Sequence, residues 1–319
     1  MKSYLLKRLL YSLLTLWLVS LFIFAIARIL PGDPVQGVLM ASHMGIADNN
    51  LIEGLRAKFG IDQPLPIQYL VWVKNFIIGD FGVSIASGEK VFEMFMKRLP
   101  VTLELFMGSA IWSMLIGFSC GIISAVRRNS FLDHLLTVGA VLGLSIPVFW
   151  EGIVLIYLLS VMTHILPPSG YVPFTESITG NLLAMAMPTF IMGTQGAGLI
   201  ARYVRSSLLS VLGQDFIRTA YAKGLSERQV LIRHALKPAM IPVTTVAGLT
   251  FGYVTAGSFI VEYMFAIPGL GRMGVNAIFA NDFPVIQATL FIVAINILAV
   301  NFLVDVLYGY LDPRVKVRS

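Results

Sequence analysis

Few side chains in this sequence are of a type that could do chemistry at a shared site. Cys120 is the only cysteine. The histidines stand singly, without metal-ligand spacing, at His43, His134, His164 and His234. No Gly-x-x-x-x-Gly-Lys-[Ser/Thr] phosphate loop occurs, so the chain does not bind and hydrolyse ATP by that route. We therefore predict no catalytic residue, no metal ion and no cofactor.

Glu151 is a candidate functional residue because of its surroundings. It is the only charged residue in the run from Leu135 to Thr163, near its middle. A charge inside hydrocarbon is costly unless it faces protein or water. Two interpretations stay open: Glu151 faces a wet cavity, or it is a protonated or hydrogen-bonded group inside a helix bundle.

The basic segment from Arg202 to Lys237 is the second candidate. It is far longer than a simple helix connection of about 2 to 8 residues, so it should be folded. Asp215 can cap a helix that runs to Lys223, and Gly224 suits the left-handed position that ends such a helix.

A second short helix follows in this segment. Ser226 and Gln229 have the spacing of a capping box, which predicts a helix from there toward Leu236. Its apolar residues share one side, so another side is left free to meet a partner. The alternative is a basic loop that rests on anionic lipid headgroups, and periodicity alone does not separate the two.

The composition is that of a membrane protein. Of 319 residues, 57% are hydrophobic and 13% are charged, and the mean hydropathy is +0.81. Soluble chains are about 25% charged, so a soluble globular domain is excluded. The net charge of +6 comes from residues clustered between uncharged runs. We expect the lipid bilayer, and no nucleic acid, as a partner.

Six runs are long enough to cross a membrane, which takes about 20 apolar residues. They are Leu9–Ala27, Leu105–Val126, Leu135–Thr163, Ser177–Ala201, Pro238–Val261 and Phe283–Val304. The first imitates a signal peptide, but its 19 uncharged residues exceed the usual apolar core of about 7 to 15. We predict an all-α polytopic protein with six transmembrane helices, the first uncleaved.

Charge asymmetry predicts the orientation. With the amino terminus inside, the inward segments carry fifteen Lys and Arg, whereas the two short outward segments share only Arg272. Short cytoplasmic loops are the ones enriched in positive charge, so both termini are predicted to be cytoplasmic.

Small residues and prolines inside the runs predict packing details. Gly193 and Ala197, or Thr194 and Gly198, fit a small-xxx-small face that lets helices approach closely. The pairs Ile146-Pro147 and Met187-Pro188 are expected to kink their helices.

The stretch from Asp215 to Pro242 resembles the EAA loop of ABC importer permeases, and most closely that of the dipeptide/oligopeptide branch. The general pattern is EAA, three residues, G, nine residues, I-x-L-P, and Ala220, Gly224 and Leu236 match it. Four positions depart from the pattern: Arg218, Thr219, His234 and Lys237. The proline comes one place late, as Pro238. Such departures are usual in the peptide branch.

Further segments resemble the same branch in the expected order. They are Arg28–Pro34, Gly79–Ser84, Arg98–Glu104, Gly257–Glu262 and Ile267–Arg272. The resemblance implies a type I ABC importer fold and a place in a bacterial inner membrane. It also implies a partner set: a second permease subunit, two ATP-binding subunits and an extracytoplasmic substrate-binding protein.

The resemblance also implies an organisation and a site. Residues 1–100 would hold the first helix and an extracytoplasmic loop, 101–310 the core of five helices with the coupling loop at 202–237, and 311–319 a cytoplasmic tail. The residues implied to couple to the ATPases are Ala220, Ala222, Lys223, Gly224, Leu225, Ser226 and Leu236. Glu151 becomes a candidate for the translocation path.

The function implied is import of di- or oligopeptides, driven by ATP hydrolysis in separate subunits. Permeases for glutathione or nickel chelates share this design and stay open as alternatives. An ion-coupled secondary transporter, the alternative from another class, predicts several intramembrane acidic residues and inverted repeats. Only Glu151 qualifies as such a residue.

Overall fold

The computed structural model describes residues 2–29 and 63–311, and this part of the chain is helical. Its α-helices, numbered in chain order, are α1 (Lys2–Ile29), α2 (Leu65–Ile77), α3 (Val91–Val126), α4 (Phe131–Ser145), α5 (Val148–Leu155), α6 (Ile178–Leu212), α7 (Asp215–Ala222), α8 (Glu227–Gln229), α9 (Leu236–Met264), α10 (Leu270–Phe279) and α11 (Phe283–Leu311). Two π-helical stretches, Ile156–Met162 and Val230–Ala235, follow α5 and α8.

The predicted membrane-spanning runs coincide with the long helices. Four helical stretches are long and apolar enough to cross a membrane: Leu6–Ile26, Val91–Val126, Ile178–Leu212 and Phe283–Leu303. The bent pair of α4 with α5 and its π-helical extension could form a fifth span, and α9 contains the run Pro238–Val261. The all-α polytopic fold is confirmed, while the count of six spans and the side on which each terminus lies stay predictions.

The run Leu135–Thr163 is not one straight helix. The axes of Phe131–Ser145 and Val148–Met162 differ by 106°. Ile146, which precedes Pro147, has φ −76° and ψ 126°. Proline disfavours helical backbone in the preceding residue, so the kink expected at this pair is a full break. By contrast, α6 continues through Pro188 without interruption.

Contacts divide the chain into two compact units. One comprises Met1–Leu10, Leu103–Ile267 and Asn296–Ser319, and the other Tyr11–Thr102 and Pro268–Ile295. Residues 30–34 of the segment Arg28–Pro34 and residues 312–319 of the expected cytoplasmic tail lie outside the described residues. The domain boundary expected near residue 100 stays a prediction.

In the first unit, α6 packs along both α4 and α9. Ile200 and Val204 of α6 are fully buried against Val243 of α9. On the other side, a Cβ added at Gly198 would lie 2.5 Å from the backbone oxygen of Ala140. The small residues of α6 therefore let a neighbouring helix approach closely, as the spacing predicted.

The second unit has its own core. Val91 and Val285 are almost fully buried in a cluster with residues of α10 and α11. Asp282, 2% exposed, accepts hydrogen bonds from the Ser84 hydroxyl at 2.5 Å and from the Ile85 backbone N–H at 3.1 Å. The segment Gly79–Ser84 is thus tied to the residue that directly precedes α11.

Candidate functional site

The segment between α6 and α9 forms a helical corner at Gly224. Helix α7 begins at Asp215 with Gln214 as its N-cap, so Asp215 is the first helical residue and not the cap that the sequence predicted. The helix ends at Ala222, and Gly224 has φ +81°, the left-handed conformation expected of it. The Gly224 N–H donates to the Tyr221 carbonyl at 2.9 Å. Glycine adopts this conformation without the steric cost that a Cβ imposes.

The second half of the corner differs from the expected short helix. The Ser226 backbone N–H donates to Gln229 Oε1 at 3.1 Å, as in the predicted capping box. The helix that starts there does not end near Leu236. It passes through the π-helical stretch Val230–Ala235 directly into α9. The corner therefore leads directly into α9, because the backbone is helical from Glu227 through Leu236.

The inner side of the corner is packed against the first unit. Ile217 and Ala220 of α7, together with Val230 and Ala235, are at most 6% exposed. They share a cluster with Leu208 of α6 and with residues of α3 and α9. Three predicted site residues belong to this side or its border: Ala220 is buried, and Leu225 and Leu236 are half-buried.

The outer side of the corner is exposed. The predicted site residues on this side are Ala222, Lys223, Gly224 and Ser226. Phe216 and Tyr221 are 43% and 45% exposed and lie on the same short helix. An exposed pair of aromatic residues beside basic side chains is typical of a protein interface. Sequence reasoning overlooked both aromatic residues, although one lies three residues and the other eight before Gly224.

Glu151 lies at the start of a helix, which corrects the expected position near the middle of a continuous span. Pro147 is the N-cap of α5, and the Glu151 N–H donates to the Pro147 carbonyl at 3.0 Å. A carboxylate near a helix amino terminus interacts favourably with the helix dipole. The side chain is half-buried, and its Oε2 has no hydrogen-bond partner among the described residues.

Glu151 lies on a helix that is packed between two longer helices. Helix α5 packs against α6 and α9. A Cβ added at Gly152 would meet the Met264 side chain of α9 and lie 3.7 Å from Ile191 of α6. Glu151 is thus held beside two of the long helices, with one carboxylate oxygen free to accept a further hydrogen bond.

A buried ion pair was missed by the sequence reasoning. Asp133 of α4 is fully buried and accepts two hydrogen bonds from Arg205 of α6. Ser124 of α3 donates a third through its hydroxyl, and the Asn129 backbone N–H a fourth at 2.9 Å. The local signal concerns only the start of α4: Ser130 stands three residues before Asp133, and its hydroxyl accepts from the Asp133 N–H at 3.2 Å.

Two family models match the chain and together cover most of it. Residues 117–317 match the binding-protein-dependent transport system inner membrane component, and residues 1–106 match the N-terminal region of the same kind of membrane component. Long apolar helices define a polytopic membrane protein, and the family models identify its class. The chain belongs to the family of binding-protein-dependent transport system inner membrane components, and is a multi-pass inner-membrane protein.

Relatives match along nearly the whole chain. The dipeptide transport system permease protein DppB of Escherichia coli is 38% identical over 339 residues, 99% of each chain. The glutathione transport system permease protein GsiC of Escherichia coli is 39% identical over 316 residues, also 99% of each. A probable peptide ABC transporter permease of Sinorhizobium fredii is 35% identical over 99% of this chain and 100% of its own.

The fold is similar to that of a solved transporter. A chain in an inward-facing structure of the MetNI methionine ABC transporter aligns with a TM-score of 0.57 and 19% identity, covering 69% of this chain and 96% of its own. A second crystal form of the same transporter aligns with a TM-score of 0.56 and 18% sequence identity. This likeness confirms the type I ABC importer fold.

Proposed function

We propose that this chain is the membrane-spanning permease subunit of an ATP-driven importer of di- or oligopeptides. The observation that carries the proposal is the corner at Gly224, packed on one side against α6 and exposed on the other. The relatives named as dipeptide and peptide permeases support the substrate class.

The partners in this proposal are a second permease subunit, two ATP-binding subunits and an extracytoplasmic substrate-binding protein. The sequence has no phosphate loop, so the energy must enter through another subunit. The exposed side of the corner, with Phe216, Tyr221 and Lys223, is the surface to which an ATP-binding subunit would dock. The lipid-headgroup alternative stays open, because aromatic and basic side chains are also enriched at the membrane–water interface.

The corner would act as a lever. Its inner side meets Leu208 of α6 and Ala239 of α9 in a cluster of fully buried side chains. A close-packed interior deforms little, so a displacement of the exposed face is passed to both helices. Gly224, in its left-handed conformation, lies outside this cluster and sets the angle between α7 and the helical stretch that leads into α9.

The translocation path in this proposal includes Glu151. Its Oε2 is buried beside α6 and α9, the two helices that the lever would move, and has no hydrogen-bond partner among the described residues. A carboxylate there attracts the ammonium group of a peptide or a cationic side chain. The packed-group interpretation stays as the alternative, and the Glu151 variants in the Discussion separate the two.

The experiment starts from the complex as it exists in the cell. The tagged chain is purified from its own membranes, the copurifying subunits are identified by mass spectrometry, and the complex is placed in vesicles with ATP inside and binding protein outside. We expect two ATP-binding subunits and ATP-dependent dipeptide uptake. Absence of ATP-binding subunits, or uptake that does not depend on ATP, contradicts the proposal.

Glutathione is the second candidate substrate, because the glutathione permease is as similar to this chain as the dipeptide permease. Labelled glutathione and labelled dipeptides should be offered to the same vesicles, each with the other as competitor. Uptake of glutathione that dipeptides do not reduce would replace the peptide assignment.

A further inference from the structure

A cavity of about 690 Å³, open on one side, lies in the first unit between α3, α6 and the stretch that follows α5. Its volume is within the range of about 300 to 1,000 Å³ that is usual for small-molecule sites. Its walls are mainly apolar and include Met107, Ile111, Leu159, Met185 and Phe190. Methionine side chains are flexible and adapt to ligands of different shape.

One end of this cavity is polar. Glu104 and Asn181 line it there, and the Asn181 Nδ2 donates to Glu104 Oε1 at 2.7 Å and to the Val172 carbonyl at 2.8 Å. The Tyr171 hydroxyl donates to Glu104 Oε2 at 2.8 Å. Asn181 is 1% exposed, and its Oδ1 has no hydrogen-bond partner among the described residues.

The chemistry of this end selects a cation. Each oxygen of the Glu104 carboxylate accepts one of these hydrogen bonds and keeps capacity for another, and Asn181 Oδ1 is a further acceptor. The described residues that line the cavity include no Lys, Arg or His. A phosphate or carboxylate headgroup would meet negative charge with no cation to balance it, whereas an ammonium group would be paired.

We infer that this cavity receives the amino-terminal residue of the transported peptide, with its ammonium group at Glu104 and Asn181 and an apolar side chain between α3 and α6. The inference rests on the proposed function. Glu104 directly precedes the run Leu105–Val126, at the end predicted to face outward, so an incoming peptide would meet the carboxylate first. Glu104 acts here as a specificity-determining residue that is distinct from Glu151.

The test compares dileucine with N-acetyl-dileucine, which lacks the ammonium group, in vesicles that contain the purified complex. Glu104→Gln removes the charge, and Glu104→Asp keeps it. Glu176→Gln, on an exposed residue, is the matched control for loss of a carboxylate. Leu182→Trp fills the cavity, and Leu183→Trp places the same ring at the next position, which does not line it.

At subsaturating concentration, we expect the wild-type complex to take up dileucine about tenfold faster, or more, than N-acetyl-dileucine. This ratio corresponds to the free energy of one hydrogen bond to a charged group. Glu104→Gln should bring the two uptake rates close together, while Glu104→Asp and Glu176→Gln keep the preference. Leu182→Trp should lower dileucine uptake about tenfold, and Leu183→Trp should not.

Several results would overturn the inference alone. An unchanged preference in Glu104→Gln, even with lower uptake of both peptides, would mean that the carboxylate only holds the fold. Unreduced uptake by Leu182→Trp would place the peptide elsewhere. A phospholipid that copurifies with wild type and is lost in Leu182→Trp would make the cavity a lipid site. A wild-type complex that carries no peptide would overturn the proposed function and this inference with it.

Discussion

Arg205 and Asp133 form a two-point ion pair between α6 and α4: Nε lies 2.7 Å from Oδ1, and Nη2 lies 2.8 Å from Oδ2. The carboxylate is fully buried, and the arginine side chain is 30% exposed. The Ser124 hydroxyl of α3 also donates to Asp133. Three helices are thus joined through one carboxylate, and two of them, α3 and α6, contribute Ala125 and Leu208 to the buried cluster beneath the helical corner.

The ion pair predicts a large loss of stability when only one partner is removed. Arg205→Met leaves a buried carboxylate without its cation, which costs about 3 kcal/mol. Thermal unfolding of the purified chain should show a clear decrease in Tm. Arg202→Met, which removes an exposed cation one turn away, is the matched control and should leave Tm nearly unchanged. The double variant Asp133→Leu/Arg205→Met should recover most of the loss, and an equal Tm for both single variants would contradict the prediction.

Substitution of Gly224 should uncouple substrate transport from ATP hydrolysis without preventing folding. A methyl group at Gly224 meets no atom within 4 Å, so Gly224→Ala acts only through the backbone at φ +81°. This conformation costs a non-glycine residue about 1 kcal/mol or more. Gly224→Ala, and more strongly Gly224→Val, should assemble normally but lose substrate-stimulated ATP hydrolysis.

Gly213→Ala is the control for Gly224→Ala. Gly213 has an ordinary right-handed conformation, and its added Cβ would lie 3.6 Å from the Ser210 carbonyl oxygen, an ordinary contact. This variant should keep stimulated ATP hydrolysis. Wild-type stimulation in Gly224→Val would contradict the lever.

Removal of the Glu151 charge should reduce transport of cationic peptides selectively. Glu151→Gln keeps the size of the side chain at the start of α5 and removes its charge. If Glu151 contacts the peptide, uptake of a lysine-containing dipeptide should fall about tenfold, the effect of one lost charged contact, while assembly is unchanged. Unchanged uptake of both neutral and cationic dipeptides by Glu151→Gln, with a lower yield of Glu151→Ala, would instead assign the residue to packing.

We expect the phenol of Tyr171 to stay protonated to unusually high pH. Burial, followed by the hydrogen bond to Glu104 and the charge of that carboxylate, raises the pKa of Tyr171 to about 12. Because the pKa is raised in the folded state, this stabilisation is fully present below the ordinary pKa of about 10 and is lost as pH rises through about 12. The difference in phenolate absorbance between wild type and Tyr171→Phe should therefore appear near pH 12. A difference that appears near pH 10 would contradict the buried hydrogen bond.

The local features of this protein were determined by the sequence alone. Runs of about 20 apolar residues identify membrane helices, because hydrocarbon thickness sets their length. The left-handed Gly224, the Ser226–Gln229 contact and the break at Pro147 also follow from residues within a few positions of one another. In such cases backbone sterics and short-range hydrogen bonds decide the conformation, and the spacing of residue types is enough to predict it.

The tertiary structure decided which distant side chains meet. Asp133 and Arg205 are 72 residues apart, and Glu104 and Asn181 are 77 apart, so no local pattern pairs them. The 106° bend moved Glu151 from the expected middle of a span to the start of a helix. The split of the corner into a buried side with Ala220 and an exposed side with Lys223 depends on where α6 lies. Burial and partner choice arise from helix packing, which brings together residues whose separation along the chain carries no signal of their contact.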